Sequence, residues 1–180
     1  MSAKGIRDID VIRTFVLQGT LNFTRYFFKI RQKRKFVIGK HHREIAAALD
    51  KVLCGEITRL IINIAPRYGK TELAVKNFIA EGLAINPKAK FIHLSYSDDL
   101  ARDNSRGVQD IINEPEYRRI FPATIPTSTN TKKWYTTEGG GLYAVSSAGQ
   151  VTGFGAGLVD EEENDELAKE VEELDVSMRM

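Results

Sequence analysis

The sequence has few of the residues that build disulfide scaffolds, metal modules or membrane spans. Its 180 residues include one cysteine, Cys54, and three histidines, His41, His42 and His93, whose spacing does not match a metal site. No window approaches about 18 consecutive apolar residues. The first ten residues are charged where a secretory signal would be apolar. These absences exclude a disulfide-rich fold and a zinc module, and they predict a cytoplasmic protein with no membrane partner.

Charge is distributed unevenly along the chain. Residues 151–180 contain ten acidic and two basic residues, which leaves 24 basic against 14 acidic residues in the preceding part. Clustered lysines and arginines attract polyanions, because contacts with phosphates release counterions. One basic run has two open interpretations, contact with nucleic acid or nucleotide and a solvated surface. It comprises Arg31, Lys33, Arg34, Lys35, Lys40 and Arg43.

Apolar periodicity predicts helices in the first third of the chain. Apolar residues recur at roughly helical spacing over residues 9–28, and Gly19 indicates a break between two short helices. The segment HHREIAAALDKVLCG has the pattern of an amphipathic helix that ends at Gly55. We therefore expect an N-terminal helical segment over residues 1–35 and a third helix just after it.

The middle of the chain alternates between two patterns. Residues 59–64 form a short apolar, β-branched run, which favours a buried parallel strand. A helical pattern from Thr71, a second strand over 91–95 and a second helix over 98–113 follow it. The order strand, helix, strand, helix predicts an α/β fold with a mainly parallel sheet and flanking helices over residues 36–157. Four apolar residues of the second helix are expected to face the sheet: Leu100, Val108, Ile111 and Ile112.

Two further elements complete the prediction. Residues 133–137 and 142–146 flank a run of glycines, which indicates a β-hairpin. Residues 158–180 are acidic, with few apolar side chains, and predict a helical tail outside the core.

The segment between the first predicted strand and its helix, A-P-R-Y-G-K-T at residues 65–71, predicts a phosphate site. Gly-Lys-Thr at a helix start directs backbone N–H groups and the helix dipole at an anion. Such a lysine reaches the β and γ phosphates, and the threonine hydroxyl coordinates Mg²⁺. Ile64 occupies the position of the first glycine, so the strict motif is not met. The residues expected at the nucleotide are Pro66, Arg67, Tyr68, Gly69, Lys70, Thr71 and Glu72.

Five segments of the sequence, in this order, resemble one known family. They are KFVIGKHHREIAAAL, RLIINIAPRYGKTELAV, FIHLSYSDDLA, YRRIFP and WYTTEGGGLYAVSSAGQVTGFGAG. Over about residues 20–157 the chain resembles the N-terminal ATPase region of the large terminase subunit of tailed bacteriophages and prophages. A phosphate loop with Pro-Arg before Gly-Lys-Thr is typical of that family and explains the missing glycine. The resemblance implies a P-loop NTPase-like fold, and an ATP-driven motor that packages double-stranded DNA into the capsid.

The resemblance also implies roles for individual residues. Lys70 and Thr71 would bind ATP and Mg²⁺, with the metal at the Thr71 hydroxyl. From the residues alone Arg67 points either into the phosphate site or to solvent, and the family places an arginine there that senses or stabilises the γ-phosphate. The family's adenine-side element corresponds to residues 36–42, so His42 either contacts the base or is an ordinary helix N-terminal residue. Residues 95–97 either match a helicase-like motif or cap the next helix.

An ATPase of this kind needs a second acidic site, and the end of the chain has one weak candidate. Asp160 and Glu161 follow only two apolar residues diluted by glycine, too few for a well-filled buried strand. They are therefore either the catalytic acids, with Asp160 also at the metal, or part of a surface insertion. In the second case the ATPase domain is truncated, and the hydrolytic carboxylates and the nuclease domain lie outside this sequence.

Two functions remain open after these observations. The first is the ATP-hydrolysing DNA translocase, whose implied partners are double-stranded DNA, the small terminase subunit, the capsid portal and further copies in a ring. The second is a truncated, non-catalytic terminase remnant that binds nucleotide or partner proteins without turnover. A small-molecule kinase also uses a phosphate loop, but it would not account for the hairpin around Trp134 or the glycine-rich segment after Gln150.

Overall fold

The computed structural model of the chain describes residues 8–147, which form an α/β fold. The helices within this range are α1 (Asp8–Val16), α2 (Thr20–Gln32), α3 (Lys40–Leu53), α4 (Phe78–Ile85), α5 (Asp98–Asn113) and α6 (Pro115–Ile120). A π-helical segment (Glu72–Asn77) precedes α4, and the strands are β1 (Lys90–Ser95), β2 (Lys133–Tyr135) and β3 (Gly141–Ser146). The predicted α/β class is confirmed, whereas the predicted acidic tail with Asp160 and Glu161 lies outside the described residues.

The break between α1 and α2 falls at Gly19, as the sequence predicts. Glycine has no side chain to cap a helix, and the cap comes instead from α3, where Asp50 Oδ1 accepts a hydrogen bond of 2.7 Å from the Thr20 N–H. A Cβ atom at Gly19 would lie 2.9 Å from the other oxygen of Asp50. The glycine therefore lets the chain pass close to the carboxylate that starts α2.

An aromatic cluster joins α2 to α6. The Phe23 and Phe27 rings of α2 lie 4.6 Å apart between centroids, and Phe27 lies 5.3 Å from the ring of Tyr117. The Tyr117 hydroxyl donates a 2.8 Å hydrogen bond to the Ala80 carbonyl of α4. These side chains are buried, and each large apolar group contributes about 1.5–3 kcal/mol by leaving water. The N-terminal helices thus share one core with α4, α5 and α6.

The sheet has three strands in the order β1-β3-β2. The β1–β3 pair is parallel, and β2–β3 is an antiparallel hairpin, as predicted. The Trp134 side chain of β2 is fully buried, and its Nε1 donates a 2.9 Å hydrogen bond to Ser105 Oγ of α5. Within residues 8–147 the sheet is therefore mixed, not mainly parallel, because the predicted first strand does not join it.

Residues 59–64 depart from the prediction of a buried strand. Leu60, Ile62 and Ile64 pack against α3 and Leu73, whereas the Ile61 side chain is 94% exposed. This alternation is typical of a strand with one covered face. However, no backbone hydrogen bond joins this segment to any residue of the described range. The prediction was wrong because an apolar pattern encodes burial of side chains and not the presence of a neighbouring strand.

Helix α5 has the predicted bounds, and the structure shows which residue caps its N-terminus. The Leu100 N–H donates a 3.3 Å hydrogen bond to Ser97 Oγ, so the capping interpretation of this serine is confirmed. Val108, Ile111 and Ile112 are buried as predicted, but Leu100 is 49% exposed. The prediction for Leu100 was wrong: at the first turn of α5 the Asp98 side chain meets the end of β3, where its Oδ1 accepts a 3.0 Å hydrogen bond from the Ser146 N–H.

Candidate phosphate-binding site

The loop that precedes the π-helical segment contains two residues with left-handed backbone. Gly69 has φ +74° and Arg67 has φ +68°. Glycine adopts this conformation freely, but in arginine it costs about 1 kcal/mol or more. The surrounding structure therefore has to hold Arg67 in place, which is a recurrent property of ligand-binding loops.

The backbone amides of residues 68–72 are available to a ligand. Within the described range, no oxygen accepts a hydrogen bond from any of these N–H groups. The first amide of this helix with an acceptor is that of Leu73, which bonds to the Gly69 carbonyl at 3.0 Å. Unbonded amides at the start of a helix, together with its dipole, form an anion site.

Residues 69–72 line a cavity of about 410 Å³. The Lys70 and Thr71 side chains are exposed, and Lys70 forms no ion pair with any residue between 8 and 147. An ammonium, a hydroxyl and amides with no partner among residues 8–147 therefore line one cavity, as a triphosphate requires. The cavity is lined by Ile64, Ala65, Pro66, Arg67, Gly69, Lys70, Thr71 and Glu72.

The carboxylate at this cavity, Glu72, is already paired. Arg31 Nη1 lies 2.8 Å from Glu72 Oε1, and the two side chains are only 9% and 18% exposed. Asn77 Nδ2 donates to the same oxygen at 3.1 Å and to the Glu72 carbonyl at 2.8 Å. Glu72 therefore ties the π-helical segment to α2, and its carboxylate is not a free general base.

The π-helical segment is a site feature that the sequence did not predict. It begins directly after Thr71, and Asn77 bonds back to Glu72 across its full length. Single π turns inside α-helices occur frequently at functional sites. No residue pattern in the segment ELAVKN distinguishes it from an ordinary helix, because a π-helix is defined by its backbone hydrogen bonds.

The basic run divides into one buried and several exposed groups. Arg31 is committed to Glu72, Lys40 lies 3.8 Å from Glu44, and the Arg34 guanidinium lies 5.7 Å from the centroid of the Phe28 ring. Lys33, Lys35 and Arg43 are exposed. The exposure of the other cations fits both open interpretations, a solvated surface and contact with nucleic acid, whereas Arg31 has a structural role.

The three histidines lie in two places. His93 of β1 is bonded to Asn104 of α5 at 3.1 Å, and burial lowers the pKa of its ring. His41 and His42 lie at the start of α3, beside the phosphate loop. Burial, and to a lesser degree the neighbouring His41, lowers the pKa of His42 below its ordinary value. Among residues 8–147 no three His, Cys, Asp or Glu side chains are arranged to hold a metal ion.

Comparisons with known proteins give no relative. No protein-family model, curated protein or solved structure matches the chain. Within the described part, no helix has the length and apolar character needed to cross a bilayer.

Proposed function

We propose that this chain binds ATP and Mg²⁺ through residues 65–72 and forms the ATPase part of a terminase-like DNA-packaging motor with a P-loop NTPase-type fold. The observation that carries the proposal is the set of amides at residues 68–72 at a helix start, which, like the Lys70 ammonium, have no partner within residues 8–147. Unbonded amides alone would support only anion binding. The resemblance of the surrounding motifs to terminases makes the proposed function more specific, a DNA-packaging ATPase.

Each residue of the loop has a role in this proposal. Lys70 neutralises charge on the β and γ phosphates, and the Thr71 hydroxyl is the protein ligand of Mg²⁺. The exposed Arg67 is held close to the same cavity and stabilises charge on the γ-phosphate. Bound Mg²⁺ would supply further neutralisation of the phosphate oxygens.

Double-stranded DNA is the proposed second ligand. The α2–α3 connection carries the exposed cations Lys33, Arg34 and Lys35, and its Phe36 lies against Gly69 of the loop. Such cations bind the DNA backbone without reading its sequence. The small terminase subunit, the capsid portal and a ring of copies are proposed from the resemblance alone.

A second candidate function is binding of nucleotide without turnover. It is favoured by the Arg31–Glu72 ion pair, which occupies the carboxylate that lines the phosphate cavity. Phosphoryl transfer to water needs a group that orients the water. Release of phosphate by the purified chain separates the two candidates, since nucleotide binding with no release supports the second.

The proposal predicts a large effect of Lys70→Ala on nucleotide affinity. Titration calorimetry with a nonhydrolysable ATP analogue and Mg²⁺ should show a loss of about tenfold, because a charge-assisted contact worth at least 1.4 kcal/mol is removed. Lys51→Ala removes an equal charge from an exposed site on α3 and should leave affinity unchanged. Equal affinity of Lys70→Ala and the unsubstituted chain would refute the phosphate site.

A further inference from the structure

His42 connects the start of α3 to the phosphate loop through both of its ring nitrogens. Nδ1 accepts a 2.9 Å hydrogen bond from the Gly39 N–H, and Nε2 lies 2.9 Å from the Tyr68 carbonyl oxygen. Because Nδ1 is an acceptor, a neutral ring carries its hydrogen on Nε2, which then donates to Tyr68. The two bonds therefore define one tautomer.

The ring of His42 also packs directly against the loop. A Cβ atom at Gly69 would lie 2.8 Å from His42 Nε2 and 3.5 Å from Phe36 Cζ. Phe36 contacts the His42 ring edge to face at 4.9 Å, and Phe28 of α2 contacts Phe36 at 5.1 Å. Only glycine therefore fits at position 69, because the backbone there is left-handed and because the His42 ring occupies the space of a Cβ atom.

The hydrogen bond from His42 to the Tyr68 carbonyl holds the loop in the residues that precede the helix. Across residues 64–68, the bond from His42 to the Tyr68 carbonyl is the one hydrogen bond that reaches the backbone from the described residues. The same stretch contains Arg67 with its unfavourable positive φ. Something outside the loop has to offset that cost, and His42 lies in the position to do so.

We infer that His42 is a positioning residue for phosphate binding, which holds residues 67–69 in the conformation that presents the free amides. This inference rests on the proposed function, because it takes the loop to be a triphosphate site. In this inference His42 positions the loop and does not contact the adenine base of the nucleotide. Both ring nitrogens are engaged, and the ring of His41 lies over His42 with 3.9 Å between centroids. His41 Nε2, 3.2 Å from His42 Nε2, is a second acceptor for the same hydrogen.

A matched pair of substitutions separates the two bonds of His42. In His42→Gln the amide nitrogen occupies the position of Nε2 and still donates to Tyr68, while the bond to Gly39 is lost. In His42→Asn the amide oxygen occupies the position of Nδ1 and still accepts from Gly39, while the bond to the loop is lost. His41→Gln is the control for loss of a neighbouring imidazole.

We expect His42→Gln to bind a nonhydrolysable ATP analogue with Mg²⁺ within about threefold of the unsubstituted chain. We expect His42→Asn to bind about tenfold more weakly, a loss of about 1.4 kcal/mol that lies within the range for one hydrogen bond. A role limited to capping α3 predicts the opposite order. Equal affinities, or stronger binding by His42→Asn, would overturn the inference.

A measurement without nucleotide keeps the inference separate from the proposed function. Both substitutions remove the ring current of the imidazole from Gly69, so in the unliganded chain the NMR amide resonance of Gly69 should shift in both variants, and further in His42→Asn, which also loses the bond to the loop. Long-range ¹H–¹⁵N correlations should show His42 of the unsubstituted chain protonated at Nε2 alone. A hydrogen on Nδ1 in the unsubstituted chain contradicts the inference even if both variants fail to fold. If Lys70→Ala leaves affinity unchanged while Gly69 follows this order, the proposed function fails and the positioning role stands.

Discussion

Two regions of the molecule satisfy their buried polar groups to different degrees. The hairpin side comprises α5 and β1–β3, and the loop side comprises α2, α3 and residues 59–81. On the hairpin side, Trp134 bonds to Ser105, and Gln109 Nε2 donates to the carbonyls of Ser128 and Asn130 at 3.2 and 3.1 Å. On the loop side, Thr24 Oγ1 and Asn77 Oδ1 are buried with no partner among the described residues, and the buried Glu81 carboxyl has only the Thr20 hydroxyl as a side-chain partner.

The backbone shows the same difference. Strand β1 is fully paired with β3 from Lys90 to Ser95, whereas the equally apolar residues 59–64 form no backbone hydrogen bond with any part of the described chain. Unsatisfied buried groups cost stability. The polar groups of the hairpin side are therefore better satisfied, and the loop side contains the amides of residues 68–72, which have no acceptor among the described residues.

The largest expected effect is a difference in the free energy of unfolding between a variant on the hairpin side and one on the loop side. Leu142 of β3 is fully buried, so Leu142→Ala should lower the free energy of unfolding by about 2–5 kcal/mol. Ile61→Ala removes an apolar side chain that is 94% exposed and should change it by less than about 0.5 kcal/mol. Urea denaturation followed by circular dichroism measures both values. A similar cost at the two positions would show that residues 59–64 are as well packed as the sheet.

A smaller effect should come from the buried acid of the loop side. Burial raises the pKa of Glu81 from 4.5 to about 8; the hydrogen bond with the Thr20 side chain opposes this rise, and the carboxylate of Asp50 adds to it. Since the folded pKa is the higher one, the stability contributed by neutral Glu81 is complete below pH 4.5 and is lost as the pH rises through 8.

Glu81→Gln removes this titration and keeps the shape of the side chain. The thermal midpoint of the unsubstituted chain should fall relative to the variant between pH 5 and 9, by an amount that corresponds to roughly 1–3 kcal/mol. Glu56→Gln, at an exposed position, should follow the unsubstituted chain. If the thermal midpoints of all three proteins depended on pH in the same way, burial would not raise the pKa of Glu81.

The sequence predicted the features that depend on neighbouring residues. The break at Gly19, the bounds of α5 and the hairpin follow from local glycines, periodicity and turn chemistry. The position of the phosphate loop at a helix start was predicted in the same way, from residues 65–71. The roles of Lys70, Thr71 and Arg67 in nucleotide binding stay predictions.

The features that sequence reasoning missed depend on contacts between distant residues. Asp50 caps α2 from 30 residues away, and His42 reaches Tyr68 across 26 residues. The bridge from Arg31 to Glu72 spans 41 residues and turns an apparent member of a basic surface into a support of the site. No local pattern marks such pairs, because each partner is an ordinary residue in its own segment.

The most direct test of the account is to locate the nucleotide on the chain. Titration of ¹⁵N-labelled protein with a nonhydrolysable ATP analogue and Mg²⁺ should shift the amide resonances of residues 68–72 most strongly, because those N–H groups lack acceptors in the fold. Resonances of β2 and β3 on the hairpin side should stay close to their starting positions. Unchanged resonances at 68–72, or shifts centred on the apolar cavity between Val52 and Phe91, would contradict the assignment of this loop as the phosphate site.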